Sequence, residues 1–251
     1  MSESFFMNRY KLTIEYDGTG LAGWQRQADH PSVQQHIEDA ISKFTSQEVR
    51  LHVAGRTDAG VHAYGQVAHF DMEKEMPANK VMGAINQHIK PNRIAIVECE
   101  PVSEDFHARF GAKKRYYVYK IINRRSPLAL EKGRAWFVPI KLDVDAMKEA
   151  ANYLVGNHDF SSFRDSQCQS NSPVKTLDEI NIVQNGDLLE IYVSAKSFLH
   201  HMVRNIVGTL KFVGEGKWKP EQVKDILGAK DRCAGGPTAP AYGLYFIKVD
   251  Y

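Results

Sequence analysis

The chain has 251 residues, 43% of them hydrophobic and 25% charged, with a formal net charge of +2 at pH 7. This composition is that of an ordinary globular protein, and it excludes the disordered and collagen-like classes. The three scattered cysteines form no Cys-x-x-Cys pair and the first residues carry no long apolar run, so we expect a cytoplasmic protein without disulfides, structural zinc or a membrane span.

The first hundred residues predict six elements in the order β-α-β-β-α-β. Alternating polar and apolar residues predict a strand over 9–16, and Ser32 can cap a helix that begins at Val33. A short strand over 49–55, a strand over 65–70, a helix over 78–89 and a strand over 93–98 follow. This is the ferredoxin-like order of elements.

The second half predicts another alternation of strands and helices. The β-prone run over 114–122 predicts a strand, and the pattern over 143–156 predicts a helix. Strands over 177–183 and 188–195 flank a hairpin turn at Asn185-Gly186. A helix from about Leu199 to Val213, a short helix over 220–227 and a last strand over 244–249 complete the prediction.

The segment 54–62, AGRTDAGVH, contains the residues most suggestive of chemistry. Its glycines and alanines allow close approach of the backbone to a ligand and leave the Asp58 carboxylate uncrowded. Arg56 and Asp58 lie between two predicted strands, on a loop of the kind that carries active sites. From the residues alone, the commoner structure is a turn in which Asp58 bonds the backbone and Arg56 lies in solvent.

Several blocks of the sequence resemble the TruA family of tRNA pseudouridine synthases. GRTDAGVHA is similar to the catalytic signature of that family. Further blocks match in the same order along nearly the whole chain: EYDGTGLAGWQRQ, SVQQHIEDA, DFHARFGAKKRYYVY, DFSSFR and FLHHMVRNIVG. A chance match of one block is credible, whereas a chance match of all of them in order is not.

The resemblance implies a role for three residues. Asp58 corresponds to the catalytic nucleophile, Arg204 to the cation that keeps its carboxylate ionised, and Tyr117 to the aromatic residue that stacks on the uracil. Strand alternation places Tyr119 on the same side as Tyr117, as support. Because it is close to Asp58, Arg56 is a candidate for holding a phosphate or helping to extrude the target nucleotide.

The resemblance also implies the reaction and the fold. The reaction is the isomerisation of uridine to pseudouridine at positions 38, 39 and 40 in the anticodon stem-loop of tRNA, without a metal or organic cofactor. Asp58 attacks either the sugar or the base, and the sequence leaves both alternatives open. We expect an α+β homodimer whose chain forms two ferredoxin-like (RRM-like) halves, residues 1–105 and 106–251, with a joined, mainly antiparallel sheet and a central basic cleft.

Two basic stretches are candidates for contact with tRNA, although charge runs are often solvated surface. They are Arg109, Lys113, Lys114 and Arg115, and then Lys211, Lys217 and Lys219 with Trp218. His200-His201 suggests a metal site, but adjacent helical residues point about 100° apart and chelate one ion poorly. We therefore expect packing or RNA contact for both histidines.

Two other functions compete with this reading. A glycosidase-like hydrolase would pair Asp58 with a second carboxylate, for which Asp17 and Glu15 are the candidates. A catalytically silent tRNA-binding protein is the other alternative, and it would be free to lose Asp58 or Arg204. The product distinguishes the three: free uracil, pseudouridine or neither.

Overall fold

The computed structural model describes residues 7–251 and has the predicted α+β architecture. Its elements in chain order are β1 (Asn8–Tyr16), α1 (Val33–Thr45), β2 (His52–Val53), β3 (His62–Met72), α2 (Ala78–Ile89), β4 (Ile94–Val102), β5 (Lys114–Asn123), β6 (Trp136–Val138), α3 (Val144–Asn152), β7 (Gly156–Asp159), β8 (Val174–Asn185), β9 (Leu188–Ala195), α4 (Met202–Gly214), α5 (Gln222–Ala229) and β10 (Leu244–Asp250). Within these residues, no helix combines the length and the hydropathy that crossing a bilayer requires.

The described chain forms two compact units. The first contains the residues up to Lys113 together with Phe246–Tyr251, and the second is Lys114–Tyr245. The division of the chain at residue 105, proposed from the sequence, stays a prediction.

The first unit contains an antiparallel arrangement of strands in the order β4-β1-β3, with β2 and β10 both pairing with β3. Its first elements follow one another as β1-α1-β2-β3-α2-β4, which is the predicted ferredoxin-like order. One face of β1 lies in the core, because alternate residues are buried. These residues are Tyr10, Leu12, Ile14 and Tyr16.

Helix α1 is held by polar side chains as well as by its apolar face. The hydroxyl oxygen of Ser32 accepts a hydrogen bond from the Gln35 N–H at 3.2 Å, which confirms the predicted N-cap. The buried Glu38 carboxylate accepts from Gln34 Nε2 at 2.8 Å and from the Leu51 N–H at 3.0 Å. Glu38 therefore ties the helix to the chain that leads into β2.

The second unit contains strands in the order β5-β9-β8-β7, with the short β6 parallel to β5. The predicted hairpin is present, and its loop is Gly186-Asp187 because Asn185 pairs with Leu188. Gly186 has a φ of 61°, the left-handed conformation that a tight hairpin turn favours. Strands β6 and β7 were not predicted, since runs this short carry too little alternation to be recognised.

Helix α4 packs backbone-to-backbone against residues 235–240, which we call the GGPTAP segment. A Cβ atom on Gly208 would lie 1.7 Å from the Pro237 carbonyl oxygen, so only glycine fits at this contact. The Thr209 hydroxyl accepts from the Gly236 N–H at 3.0 Å, and the Thr238 hydroxyl donates to Asn205 Oδ1 at 2.7 Å. One side of α4 thus fixes the path of the segment.

His69 of β3 is a buried imidazole among other rings. Its ring centroid lies 5.0 Å from that of His52 and 4.8 Å from that of His107, and its Nδ1 accepts from the Ala108 N–H at 3.1 Å. Burial, with the positive charge of Arg9 and the neighbouring histidines, lowers the pKa of His69 to about 4. His69 is therefore neutral at physiological pH.

Substitution of Gly208 tests the packing of the GGPTAP segment. Gly208→Ala should lower the free energy of unfolding by about 2–3 kcal/mol, because the added methyl group forces the segment away from α4. Gly228→Ala is the matched control, since a Cβ atom there meets nothing within 4 Å and alanine favours the helix. Urea unfolding measures both; equal stabilities of the two variants would contradict the contact.

Titration of His69 should make the protein less stable in acid. The unfolded histidine takes up a proton near pH 6.5 and the folded one near pH 4, so the unfolded state binds more protons between these values. As the pH falls from about 6.5 to about 4, the free energy of unfolding should decrease, by at most about 3 kcal/mol from this residue. His69→Gln keeps an acceptor but does not titrate, so its pH dependence should be flatter. An unchanged slope in urea unfolding would assign the acid sensitivity to other groups.

Candidate active site

Asp58 lies on residues 54–61, which we call the Asp58 loop, between β2 and β3 in the first unit. At the start of the loop, the Ala54 N–H donates to the Val67 carbonyl oxygen at 2.8 Å. At its end, the Val61 N–H donates to the Asp58 carbonyl oxygen at 3.1 Å, and Gly60 has a φ of 79°. A main-chain hydrogen bond to β3 therefore fixes the start of the loop, and a bond within the loop closes a turn at its end.

The chain that follows β1 packs directly on the Asp58 loop. The Trp24 N–H donates to the Thr57 carbonyl oxygen at 3.0 Å. Gly23 has a φ of 88°, and a Cβ atom on it would lie 2.4 Å from that same oxygen. The backbone on either side of Asp58 is thereby held, while the Asp58 side chain is half-buried and Arg56 is exposed. This arrangement presents the Asp58 carboxylate from a rigid loop.

A buried tyrosine supports the loop from below. The Tyr16 hydroxyl and the Thr57 hydroxyl oxygen lie 2.7 Å apart, and both side chains are buried. Burial raises the pKa of Tyr16 to about 12, against the opposing effect of hydrogen bonds with Thr57 and Gln66. Tyr16 is therefore an uncharged support, and it gives the loop a polar contact without adding a second charge.

Asp17 does not have the properties of a general acid. Burial opposes its ionisation, but hydrogen bonds from Thr19 and Arg93 and the charge of His62 outweigh burial and lower the pKa of Asp17 to about 2. The Arg93 guanidinium lies 2.9 Å from its carboxylate. A glycosidase acid needs a raised pKa, and the other candidate, Glu15, is exposed. These properties disfavour the hydrolase alternative.

Tyr117 and Tyr119 are two residues apart on β5 in the second unit, which puts them on the same side of the strand, and both are buried. Tyr117 retains 8% of its surface exposed, and its ring packs edge-on against Phe198 at 5.1 Å. The Tyr119 hydroxyl donates to the Pro240 carbonyl oxygen at 2.8 Å, and a Cβ atom on Gly243 would lie 2.6 Å from its ring. Tyr119 is therefore locked in place and anchors the end of the GGPTAP segment.

Arg204 lies in the first turn of α4 and is oriented by the GGPTAP segment. Its Nε donates to the Ala239 carbonyl oxygen at 2.8 Å, and its own carbonyl oxygen accepts from the Ala239 N–H at 3.1 Å. Burial raises the pKa of Tyr119, and the positive charge of Arg204 opposes this shift, so the two side chains lie within electrostatic range. The sequence pattern identified Arg204 but missed the segment that positions it.

His200 and His201 precede helix α4, which begins at Met202 and not near Leu199. His201 adopts a left-handed φ of 61°, and its Nδ1 lies 2.7 Å from an oxygen of Asp165. The two imidazole rings lie 3.9 Å apart, so the directions expected of adjacent helical residues do not apply to them. The Asp165 N–H also donates to the His200 carbonyl oxygen at 3.1 Å, so Asp165 holds both histidines.

Several predicted tRNA-contacting cations are engaged with the protein itself. Arg115 is buried and donates to the carbonyl oxygen of Lys196. Lys211 and Lys217 both pair with Glu215, at 2.6 and 2.9 Å. Lys114 pairs with Asp178 at 3.4 Å. Four of the candidate cations are exposed, with Lys217 among them: Arg109, Lys113, Lys217 and Lys219.

Similarity to known proteins extends over nearly the whole chain. The family model described as tRNA pseudouridine synthase matches residues 12–111 and 150–251, which include Arg56, Asp58 and Arg204, while Tyr117 lies between the two ranges. Proteins named tRNA pseudouridine synthase A from Paramagnetospirillum magneticum and Rhodospirillum centenum are each 55% identical over 245 residues. These matches cover 98% of this chain and 96% and 100% of the respective relatives.

A third relative and one solved structure complete the comparison. The tRNA pseudouridine synthase A of Parvibaculum lavamentivorans is also 55% identical, over 98% of this chain and 100% of its own. A chain in the crystal structure of a Cbf5-Nop10-Gar1 complex aligns with 95% of this chain and 49% of its own length, at 11% identity and a TM-score of 0.37, which is too weak to support an inference. On the family model and the three relatives, the chain belongs to the tRNA pseudouridine synthase family.

Proposed function

We propose that this protein is an isomerase that converts uridine to pseudouridine in tRNA, with Asp58 as its nucleophile. The observation that carries the proposal is the family match over residues 12–111, which includes the whole Asp58 loop. The geometry of the loop supports it, since main-chain hydrogen bonds hold the backbone before Asp58 to the protein and close a turn after it, and the Asp58 side chain is half-buried. A nucleophile has to be held in this way to reach one atom of its substrate.

The proposed reaction balances within the nucleotide. The bond between uracil N1 and ribose C1′ breaks, the base rotates, and a bond forms between uracil C5 and C1′. The proton of C5 leaves and N1 gains a proton, so the product is an isomer of the substrate. The ionised Asp58 carboxylate starts this sequence by attack on the sugar or on the base, and both alternatives fit the proposal.

The other site residues have proposed roles that follow the family resemblance. Arg204 keeps the Asp58 carboxylate ionised, Tyr117 stacks on the uracil and accepts the C5 proton, and Arg56 binds or displaces the nucleotide. Support for Arg204 comes from its orientation by Ala239, and support for Arg56 from its exposure beside Asp58. Unchanged turnover and tRNA affinity in Arg56→Ala or Arg204→Ala would contradict the respective role.

The finer parts of the proposal concern the site in tRNA and the assembly. We propose that the substrate uridines are at positions 38, 39 and 40 of the anticodon stem-loop, and that the protein acts as a cytoplasmic homodimer that holds tRNA across both subunits. The resemblance of the sequence blocks supports this proposal. Mapping of pseudouridine in treated transcripts tests the positions, and light scattering tests the dimer; modification confined to another stem or a monomer in solution would contradict it.

Replacement of Asp58 by asparagine should abolish tritium release from a tRNA transcript labelled at C5 of uridine. The wild type releases tritium because C5 loses its hydrogen when it bonds to the ribose, whereas the neutral amide is a poor nucleophile and should lower the rate by about 10⁴-fold or more. Binding of tRNA should be retained by the near-isosteric variant.

Each alternative outcome of this assay has a definite meaning. Equal release from both proteins would remove Asp58 as the catalytic centre. Free uracil in place of pseudouridine would establish a hydrolase, and tight tRNA binding without any release by the wild type would establish a silent binding protein.

Two substitutions of Tyr117 separate stacking from proton transfer. Tyr117→Phe keeps the ring that packs against Phe198 but removes the hydroxyl, so it should bind tRNA normally and lose turnover by about 10²-fold or more if the hydroxyl accepts the C5 proton. Tyr117→Leu should also weaken binding of the target nucleotide. Single-turnover tritium release and tRNA affinity are the two measurements. Full activity in Tyr117→Phe would assign Tyr117 to stacking alone.

A further inference from the structure

The turn formed by residues 106–110, FHARF, carries an exposed aromatic ring in the first unit. Phe110 exposes 77% of its surface. A single exposed hydrophobic side chain is ordinary by itself. Phe110 differs from such a side chain because hydrogen bonds hold the turn that carries it.

Hydrogen bonds hold the turn at successive residues. Nδ1 of His107 accepts from the N–H groups of Arg109 and Phe110, at 3.1 and 3.3 Å. The Gly111 N–H donates to the His107 carbonyl oxygen at 2.8 Å, and the Tyr251 hydroxyl donates to the Ala108 carbonyl oxygen at 2.9 Å. Phe110 is therefore presented on a fixed backbone, and little conformational entropy is lost when a flat ligand stacks on it.

One ring and one cation lie beside the exposed side chain. The Phe110 ring lies 4.4 Å from that of His107, which in turn lies 4.8 Å from the buried His69 and 5.6 Å from His52. The Arg109 guanidinium lies 5.7 Å from the Phe110 ring centroid. Phe110 is thus the outermost member of an aromatic cluster, with a positive charge beside it.

The turn also lies next to the start of the Asp58 loop. Ala108 packs in one buried cluster with Ala54, the first residue of that loop, and with Val67. The charges of Glu104 and Asp105, at the entrance to the turn, lie within electrostatic range of Arg9. An RNA that brings a uridine to the Asp58 loop would therefore pass near an aromatic ring and a cation.

We propose that Phe110 is a stacking platform for an unpaired base of the RNA substrate, with Arg109 binding an adjacent phosphate. An exposed aromatic ring beside a guanidinium is the combination by which proteins bind single-stranded RNA, since every base has a face that can stack and every nucleotide a phosphate. The inference rests on the proposed function for its ligand. Contact with a second copy of this chain is the competing use of the ring, and the cation beside it favours RNA.

Substitutions at Phe110 test the platform with two RNA probes, an unmodified tRNA transcript and a fully paired RNA duplex of the same length. Phe110→Ala should weaken tRNA binding about 5- to 100-fold and leave duplex binding unchanged, because only unpaired bases stack on the ring. Phe110→Trp should retain tRNA affinity, whereas Phe110→Leu should behave like alanine, which separates stacking from hydrophobicity. Val97→Ala, at a position that is 50% exposed in the same unit, is the matched control.

Four results would overturn the platform. They are an unchanged tRNA affinity in Phe110→Ala, an equal loss on the duplex, a loss in Phe110→Trp as large as in alanine, and a change of oligomeric state on light scattering, which would assign the ring to a second copy. Urea unfolding of each variant shows whether it is folded. The test is independent of catalysis: a wild type that binds unpaired RNA through Phe110 but forms no pseudouridine would refute the proposed function and keep the platform.

Discussion

The position of Asp58 depends on a main-chain contact between two loops of the first unit. Gly23 approaches the Thr57 carbonyl oxygen so closely that a methyl group would lie 2.4 Å from it, and the Trp24 N–H bonds the same oxygen at 3.0 Å. Backbone groups are placed more accurately than flexible side chains, so a loop held in this way fixes the point from which the Asp58 side chain extends. The Tyr16 hydroxyl, beside that of Thr57, and the bond from the Ala54 N–H to Val67 support the same loop.

In the second unit, close packing of two main-chain segments also positions Arg204. Helix α4 carries Gly208 where the GGPTAP segment crosses it, and the closeness of that crossing brings Ala239 within hydrogen-bonding distance of the Arg204 side chain. In both units a glycine permits two backbones to touch, and in the second unit the touching segment also bonds the Arg204 side chain. Close backbone packing therefore helps to position both candidate residues, Asp58 and Arg204.

The charge state of the buried polar groups follows from the same packing. Tyr16 and His69 are neutral because burial disfavours their charged forms, and each has a hydrogen-bond partner. Asp17 remains ionised because Arg93 and Thr19 compensate its burial. The half-buried Asp58 thus follows Thr57, whose hydroxyl group bonds a neutral tyrosine.

Three features could be predicted from the sequence. They are the chain order of the first unit, the N-cap at Ser32 and the common side of Tyr117 and Tyr119. Each depends on spacing within a few residues, where periodicity and capping chemistry act. The short strands β6 and β7 could not be read, because a strand of a few residues is specified by its partner and not by its own pattern.

Some properties of the candidate site could likewise be predicted from the sequence, whereas others required the structure. The sequence by itself suggested Asp58, Tyr117 and Arg204 through blocks that resemble the motifs of the family, and Arg56 through its closeness to Asp58. Only the tertiary structure decided that basic residues such as Arg115 and Lys211 have partners within the protein, and that Phe110 stands exposed on a rigid turn. These properties depend on residues far apart in sequence, as Gly208 is from Pro237, and no local pattern records which distant backbone will come within contact.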